Sequence, residues 1–494
     1  MRQYSSSGWA AICIGIATLV HFALGFAIEF SVDEAHYALY AQHLAWSYFD
    51  HPPLVGWIQW PVVALTNSEG IIRLIPELLW AISCILVFQV TMKLHDFLQG
   101  RHTGYLTSAL PSANACGLMA VLAIIAAPIP HVLAIGLLPD TLLAPLSLGL
   151  MLMALRWLTK DHFTIADWMI TGALLGFAGL SKYTAFFTAM TLLFIFLSQP
   201  QKPWMTKAGF WLAMCIGFTL ITPVLFWNWA NDWISFKYQI AHGAGSEWLW
   251  SRLSAYLGIQ VLAYGPLLIF GAYLFIKNCI RSNYFSVLAL LGFFAIPFAI
   301  FTSLSGGGGL PHWTTPAWFC LAPFAGIGLA KRWSTQHHLA IRSLFITQVA
   351  LCCIGFAYVL SGGINSAAIK SNPIADLYGW KMAGQKAAQL AQATHAEGIA
   401  VHNWTLGSRA AWYAKPVPVF VLDQRQDQFD LWFGQLPRRT NILLINWSDL
   451  THNPPVGDQA SGAQFEHCEP LDSLEMVRFG RTLSTFEFSL CKSW

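Results

Sequence analysis

"AGFWLAMCIGFTLITPVLFWNW", residues 208–229, is a run of 22 residues without a charged side chain. A bilayer core requires about 20 apolar residues per helix, so this run predicts a membrane-spanning helix. Across all 494 residues, 56% are hydrophobic and only 10% are charged, a composition that excludes a soluble globule. We predict a polytopic all-α bundle of about eleven spans, near residues 9–28, 71–92, 105–127, 141–158, 164–181, 183–199, 208–229, 254–276, 284–303, 313–330 and 342–361.

The basic residues predict the orientation of these spans. A cytoplasmic N-terminus places twelve basic residues up to residue 361 on the cytoplasmic side, as the positive-inside rule requires. They are Arg2, Lys93, Arg101, Arg156, Lys160, Lys202, Lys207, Lys277, Arg281, Lys331, Arg332 and Arg342. The outer side receives four: Arg73, Lys182, Lys237 and Arg252. An odd number of spans then puts both the first loop and the tail on the outer side.

The tail differs in composition from the spans. It carries 11 of the 27 Lys and Arg residues and alternates short apolar stretches such as "VPVFVL" and "NILLIN" with longer helix-like ones. This alternation predicts a small α/β domain. We therefore expect a transmembrane domain over 1–362 and a periplasmic α/β domain over 363–494. Cys468 and Cys491 lie in the tail, and whether they form a disulfide stays open at this point.

The first outer loop, predicted over 29–70, contains "SVDEAHYALYAQHLAWSYFDHPPLVGW", residues 31–57. Ser31 followed by Glu34 is a capping box, and Asp33 falls in the first turn, where the helix dipole favours an anion. A helix is therefore expected to begin near residue 32. Its aromatic and apolar residues, Tyr37 among them, are typical of a helix that lies along the membrane interface.

Other polar residues at the predicted outer ends of spans are candidates for binding an anion. Lys182 is a lone cation on a very short turn, and His242, Arg252 and His312 lie in later outer loops. Each also has an ordinary explanation as a solvated or snorkelling side chain. Asp140 precedes a span, where a helix cap is the simpler interpretation.

Three histidines of the first loop suggest a metal site as an alternative. His36, His43 and His51, with Asp33 and Asp50, offer ligand atoms, but their spacing matches no established ligand pattern. We therefore expect no metal and no required cofactor, and a divalent cation near Asp33, His36 and Asp50 remains the alternative.

Several motifs together resemble a known enzyme class. The Asp-Glu pair after the first span, "YFDHPPL", "LPDT", "LSKYTAF" and "HW…PAW" occur in order over residues 29–330. This series is similar to the GT-C class of membrane glycosyltransferases, in the branch of protein O-mannosyltransferases and lipid A aminoarabinose transferases. In the tail, only "QRQDQFDLW" adds to the resemblance.

The resemblance implies transfer of a sugar from a polyprenyl-phosphate carrier to a hydroxyl acceptor at the outer face of the membrane. The first-loop acid of the family is the proposed catalytic base, which corresponds to Asp33, with Glu34 beside it. Lys182 corresponds to a lysine that binds the carrier phosphate. His312 stands where relatives often carry another lysine. The remaining candidates for substrate binding are Tyr37, Asp50, His51, Asp140, His242 and Arg252.

The implied chemistry is consistent with these residue types. A phosphate leaving group needs cations more than a general acid, and the attacking hydroxyl needs a base such as a carboxylate. Attack from the opposite face inverts the anomeric centre. The acceptor, whether lipid A, another glycolipid, a polysaccharide or a protein, stays open, and no nucleic acid is expected. The branch favours the bacterial inner membrane.

The main alternative is a polytopic transporter or flippase. Such proteins typically show internal repeats and charges near the middle of the membrane. The sequence shows no repeat, and its ionisable residues cluster at the ends of spans.

Overall fold

The structure is a computed structural model that describes residues 5–100, 110–160, 162–198, 205, 207–245, 247–281, 285–334, 338–363, 372–423, 425–450, 459–460 and 463–493. Most of these residues are helical. In chain order the helices are α1 (Ser6–Ala27), α2 (Val32–Gln42), α3 (Leu54–Val63), α4 (Glu69–Ile72), α5 (Leu74–Gly100), α6 (Ala113–Ile125), α7 (Pro128–Ile135), α8 (Pro139–Thr159), α9 (Ile165–Ser181), α10 (Ala185–Leu197), α11 (Ala208–Ala230), α12 (Ile234–Ala244), α13 (Trp250–Arg281), α14 (Phe285–Leu290), α15 (Gly292–Leu304), α16 (Thr315–Trp333), α17 (His338–Leu360), α18 (Trp380–Ala393), α19 (Trp404–Tyr413) and α20 (Gln428–Phe433). The strands are β1 (Ile399–Val401), β2 (Val419–Val421), β3 (Asn441–Trp447), β4 (Gln459–Ala460), β5 (Ala463–Arg478) and β6 (Arg481–Ser493).

The chain forms two compact units. The bundle unit comprises Met1–Phe22, Asp50–Val55 and Leu74–Cys353. The tail unit comprises Ala23–Phe49, Gly56–Arg73 and Ile354–Trp494, so most of the first loop belongs to the same unit as the C-terminal residues.

The predicted spans coincide with helices. Within the described residues, six helices are long and apolar enough to cross a membrane, and the α6–α7 pair, bent by 77°, makes a seventh if it is one span. Each of the eleven predicted segments overlaps a helix, and the segment 284–303 contains all of α14 and most of α15. Residues 105–109 of one segment lie outside the described residues. Since several of these helices, such as α9 and α10, are shorter than a full span, the number of eleven crossings stays a prediction.

Small residues bring the helices of the bundle unit close together. A β-carbon on Gly328 of α16 would collide with the carbonyl oxygen of Gly271 on α13. On the same helix, Gly326 faces Ala120 and the Cys116 carbonyl of α6 in the same way. Close approach through small residues is how helices pack where lipid removes the hydrophobic driving force.

One side chain in the bundle unit forms hydrogen bonds to the backbone at two helix breaks. Helix α13 is interrupted at Gly265, whose φ of 78° and ψ of 150° are not helical, just before Pro266. The α6–α7 bend leaves the carbonyl of Ala126 free of its helix. The buried Gln348 of α17 accepts from Leu267 N at 2.9 Å and donates to Ala126 O at 3.0 Å, so it satisfies both breaks. Backbone groups inside a membrane need such internal partners.

The tail unit contains a mixed sheet with the strand order β2-β1-β3-β6-β5-β4. Strand β1 pairs in parallel with β2 and β3, and the other pairings are antiparallel. The predicted stretches "VPVFVL" and "NILLIN" contain β2 and most of β3, which confirms a small C-terminal domain with a sheet. The boundary predicted at residue 362 stays a prediction. Cys468 and Cys491, which face each other on β5 and β6, form a disulfide.

Candidate active site

Three of the predicted residues, from three separate motifs, meet in the bundle unit. Lys182 Nζ lies 2.6 Å from Asp140 Oδ2, and His312 Nε2 lies 4.0 Å from the same oxygen. Asp140 is 1% exposed and Lys182 6% exposed. The other carboxylate oxygen of Asp140, Oδ1, is buried and has no hydrogen-bond partner within the described part of the chain. The cluster is therefore a buried ion pair with acceptor capacity left over.

Local sequence explains how Asp140 and Lys182 come to face each other. Pro139 occupies the start of α8, a position that suits proline, and Asp140 follows in the first turn, where the helix dipole stabilises its charge. Lys182 is the residue after α9, and its extended backbone (φ −157°, ψ 140°) ends that helix. A helix beginning and a helix end thus present opposite charges to each other.

The loop that carries His312 is held by α13. Gln260 Nε2 and Tyr264 Oη both donate to the carbonyl of Pro311, at 3.1 and 3.0 Å. Gln260 also accepts from Thr314 at 2.8 Å. Burial lowers the pKa of His312 to about 4, although Asp140 acts in the opposite direction. His312 is therefore neutral at physiological pH and offers hydrogen bonds rather than positive charge.

Four of the predicted residues line one cavity of about 450 Å³ in the bundle unit: Asp50, His51, Lys182 and His242. Aromatic side chains complete its wall. The ring of His242 stacks on Tyr238 with 5.3 Å between centroids and contacts Trp313 edge-on at 5.4 Å. The backbone carbonyl of Asp50 accepts a hydrogen bond from Gln239 Nε2. The cavity thus combines one cation, a carboxylate, imidazoles and aromatic faces.

A second cavity of the bundle unit, of about 580 Å³, is almost entirely apolar. It lies among α9, α10 and α11. Tyr183, Phe186 and Phe236 line both cavities, so the polar cavity and the apolar cavity adjoin each other.

Arg252 lies away from these cavities. Its side chain is exposed, and its Nη1 donates to the carbonyl of Glu247 at 2.8 Å. The described residues that line the polar cavity do not include Arg252. Its predicted part in substrate binding stays a prediction.

In the tail unit, the first-loop helix α2 begins at Val32, where the sequence predicted its start. The predicted reciprocal cap is partly visible: Ser31 donates through its backbone N–H and its hydroxyl to Glu34 Oε2, at 3.0 and 2.8 Å. Glu34 also receives Arg73 Nε on Oε1 at 2.6 Å and Arg73 Nη2 on Oε2 at 3.0 Å. Both carboxylate oxygens of Glu34 are therefore engaged in bonds that hold the backbone.

The sequence did not reveal the part played by Arg73. Besides Glu34, this buried guanidinium donates to the carbonyls of Gly25, Ile28 and Glu29, at 2.6, 2.7 and 2.9 Å. It thereby braces the chain between α1 and α2. The sequence did mark Arg73 as one of only four basic residues predicted for the outer side. Its pairing with Glu34 was not predictable, because 39 residues separate the two along the chain.

Asp33 is partly exposed, unlike the eight residues from Glu34 to Ala41, which are all buried. Burial lowers the pKa of Arg409 on α19. The negative charges around the guanidinium, that of Asp33 among them, oppose this shift but do not cancel it. Asp33 therefore lies within the electrostatic reach of a buried guanidinium. Tyr37 is buried, and its carbonyl accepts from Gln59 Nε2 at 3.1 Å.

Residues on both sides of Asp33 are bonded to the C-terminal part of the tail unit. Glu29 Oε2 accepts from the backbone N–H groups of Trp380 and Lys381, at 2.7 and 3.2 Å, and so caps α18. Phe30 N donates to Tyr413 Oη at 2.9 Å. His36 Nδ1 lies 3.0 Å from Ser408 Oγ. The position of Asp33 within the tail unit is therefore fixed from both directions.

No metal site is evident in the described ranges, where no group of three or more His, Cys, Asp or Glu side chains could hold an ion. The predicted independence from cofactors stays a prediction.

Comparisons with known proteins add the following findings. Residues 50–227 match the family described as dolichyl-phosphate-mannose-protein mannosyltransferase, a segment that contains Asp50, His51, Asp140 and Lys182. A comparison with curated proteins found no match.

Among solved structures, ArnT from Cupriavidus metallidurans bound to undecaprenyl phosphate is 16% identical, with a TM-score of 0.61 over 98% of both chains. The apo state of the same protein is 15% identical, with a TM-score of 0.59 over 90% of this chain and 93% of that one. The archaeal oligosaccharyltransferase AglB from Archaeoglobus fulgidus is 12% identical, with a TM-score of 0.45 over 82% and 63%. The ArnT likenesses show that the two chains share a fold.

Proposed function

We propose that this chain is a membrane glycosyltransferase of the GT-C class, which transfers a sugar from a polyprenyl-phosphate carrier to a hydroxyl acceptor. The match of residues 50–227 to the mannosyltransferase family and the fold shared with ArnT support this proposal. The reaction takes place at the periplasmic face of a bacterial inner membrane. The acceptor is a glycolipid such as lipid A, a polysaccharide or a protein.

One observation carries the choice of donor: the polar cavity that contains Lys182 adjoins an apolar cavity between α9, α10 and α11. A lipid-linked sugar likewise has a polar part and an apolar part: its charged phosphate lies between a polar sugar and an apolar isoprenoid chain. We place the phosphate at Lys182, the isoprenoid chain against Phe186 and Phe236, and the sugar towards Asp50, His51 and His242. The similar ArnT structure with undecaprenyl phosphate contains a carrier of this chemical kind.

The charge balance makes Lys182 the residue that matters most for the phosphate. An ammonium has three donors, and Asp140 takes one of them. His312, neutral at pH 7, donates or accepts a hydrogen bond beside the pair without adding charge. As the phosphate leaves, the lysine stabilises the developing anion in a site with little water to screen it.

Asp33 is the general base of the proposed reaction. It takes the proton of the acceptor hydroxyl as that oxygen attacks the anomeric carbon from the face opposite the phosphate, which inverts the configuration. The partial exposure of Asp33 supports this role, whereas the four bonds to Glu34 support a structural part for that residue. The bonds at both ends of the segment 29–36 hold Asp33 in position and leave its side chain accessible to an acceptor.

We propose eleven crossings, with the N-terminus in the cytoplasm, a transferase domain over 1–362 and a periplasmic domain over 363–494. The composition of the tail unit supports this arrangement. Most of the first loop packs with the C-terminal residues in one compact unit, which supports placing both on the same side of the membrane. An odd number of spans between them and the cytoplasmic N-terminus satisfies that condition.

The proposal is tested by reconstituting the full chain in lipid vesicles with a panel of polyprenyl-phosphate sugars and candidate acceptors. We expect Asp33→Asn to abolish transfer and to retain carrier binding, because the amide keeps the size of the side chain but cannot accept the proton. Glu34→Gln serves as the matched control. It should lower the thermal stability and leave the transfer rate per folded molecule nearly unchanged, since its carboxylate serves Arg73 and Ser31.

Full activity of Asp33→Asn would remove Asp33 from the mechanism. Release of free sugar without an acceptor, or movement of intact carrier across the bilayer without transfer, would instead favour a hydrolase or a flippase.

Lys182→Ala tests the placement of the phosphate. We expect this variant to bind a polyprenyl phosphate at least tenfold more weakly, since a desolvated hydrogen bond to a charged group contributes about 1.5–3 kcal/mol. Affinity for the uncharged polyprenol should change little. The matched control is Lys237→Ala, an exposed lysine of α12 outside the cavity. Equal affinity of the Lys182 and Lys237 variants for the phosphate would contradict this placement.

A further inference from the structure

The β5–β6 hairpin of the tail unit ends in an exposed apolar tip. Phe479 and Gly480 form its turn, and both have positive φ, 48° and 73°. Phe479 is 74% exposed and Val477, two residues earlier, is 52% exposed. Arg478 and Arg481 flank the turn.

Phenylalanine is an unexpected residue at this turn. A two-residue hairpin turn with two positive φ values favours Asn or Asp followed by Gly. A bulky residue in the left-handed region is strained relative to glycine, because its β-carbon approaches the following carbonyl oxygen. Gly480 agrees with this preference and Phe479 does not. Burial of the Phe479 ring within the tail unit does not offset the strain, because the residue is 74% exposed. The cost is explained if the ring has an apolar environment that lies outside the protein.

The position of the tip is fixed against the end of the last span. Three side chains donate to carbonyls at and just beyond the C-terminus of α17, which a helix leaves without intrahelical partners. They are Tyr378 to Val359 at 2.8 Å, Arg478 to Leu360 at 2.9 Å, and Asn372 to Gly362 at 2.8 Å. Arg478, one residue before Phe479, is thus bonded to the last residue of a helix that is long and apolar enough to cross a membrane.

The charges at the tip suit the same location. The Arg478 guanidinium lies 4.3 Å from the ring centre of Tyr378 and 5.2 Å from that of Phe479. Arg481 is exposed. Tyrosine is enriched at the interface between a membrane and water, and long arginine side chains there reach towards the lipid headgroups.

We propose that the tip of the β5–β6 hairpin, residues 477–481, inserts into the bilayer surface beside the C-terminal end of α17. Phe479 and Val477 enter the acyl region, and Arg478 and Arg481 lie at the level of the lipid phosphates. The occupant of this apolar surface is lipid rather than a protein partner. The contact adds an attachment of the tail unit to the membrane surface.

Site-directed spin labelling of the full chain in nanodiscs with one copy each tests the proposal. The sequence has ten cysteines, of which Cys468 and Cys491 are paired, so the other eight are replaced by alanine. A label is then placed at Phe479→Cys, at Val477→Cys and, as the matched control, at Glu469→Cys, an exposed position of β5 far from the tip. Collisions with oxygen report on lipid, and collisions with a water-soluble nickel chelate report on solvent.

We expect the ratio of oxygen to nickel accessibility to be several-fold higher at residues 477 and 479 than at residue 469. Equal ratios at the three positions would overturn the proposal. So would a label at residue 479 that is shielded from both reagents, because that result indicates a protein contact.

A second measurement avoids the cysteine replacements. Phe479→Trp and Glu469→Trp are compared in the otherwise native sequence, in membranes with bromine at known acyl depths. Quenching of the added fluorescence at residue 479 but not at residue 469 is expected. Equal quenching would again contradict membrane insertion.

Discussion

Each unit contains a buried ion pair, and the pairing decides what its two members can do. In the bundle unit Lys182 is held by Asp140, and in the tail unit Glu34 is held by Arg73. Breaking a buried pair by removing one partner costs about 3–5 kcal/mol, although the pair itself stabilises little. Substitutions in either pair therefore need a stability measurement beside the activity.

At the scale of a single residue, His312 predicts a pH dependence of stability. Burial lowers its pKa from 6.5 to about 4 in the folded chain, so between these values the unfolded chain binds more protons. The stability that results from keeping His312 neutral is complete above about pH 6.5 and is lost as the pH falls towards 4. We expect His312→Gln to weaken this dependence. The measurement is thermal unfolding in detergent from pH 4 to pH 8.

His467→Gln is the control for that experiment, because His467 is exposed on β5. Its pH dependence should match that of the unmodified chain. A His312→Gln variant that loses stability in acid as steeply as the unmodified chain would contradict the inferred burial.

At the scale of elements, local signals were predictable from sequence and long-range ones were not. Hydropathy and the capping box depend on neighbouring residues, so the eleven apolar segments and the start of α2 coincide with helices. The breaks at Gly265 and at Ala126 depend on Gln348, which is 83 residues from one and 222 from the other. The contacts of Gln260 and Tyr264 in the bundle unit, and those of Arg73 in the tail unit, are hidden for the same reason. Three family motifs did predict that Asp140, Lys182 and His312 have related roles, and they meet in the structure.

Gln348 gives the prediction at this scale. Gln348→Leu has a similar volume but leaves Leu267 N without its partner and leaves Ala126 O only the weaker contact with Cys352 Sγ at 3.8 Å. A buried unpaired group costs about 1–3 kcal/mol, so we expect a loss of at least about 1 kcal/mol, seen as a lower unfolding temperature. Thr222→Val is the control, since this exposed hydroxyl of α11 bonds only within its own helix. Equal unfolding temperatures of the two variants would show that other groups satisfy the breaks.

At the scale of the whole molecule, the proposed reaction divides its work between the two units. The bundle unit contains the cavities assigned to the donor, and the tail unit contains the proposed base together with the bonds that hold it. A base needs correct placement in the transition state, whereas the carrier phosphate is bound before and during the reaction. Changes in the two units should therefore affect different kinetic constants.

Glu29 is the residue that tests this division. Its carboxylate caps α18 through two backbone N–H groups, and its backbone N–H donates to the Leu377 carbonyl at 3.2 Å, four residues before Asp33. Glu29→Gln keeps the size and removes the charge, which weakens the cap by about 1 kcal/mol and loosens the segment that positions Asp33. We expect kcat to fall several-fold while KM for the carrier stays nearly constant. Lys182→Ala should raise KM for the carrier as well as lower kcat, because Lys182 contacts the phosphate both before and during its departure. If Glu29→Gln changed KM and Lys182→Ala changed only kcat, the two units would have the opposite roles.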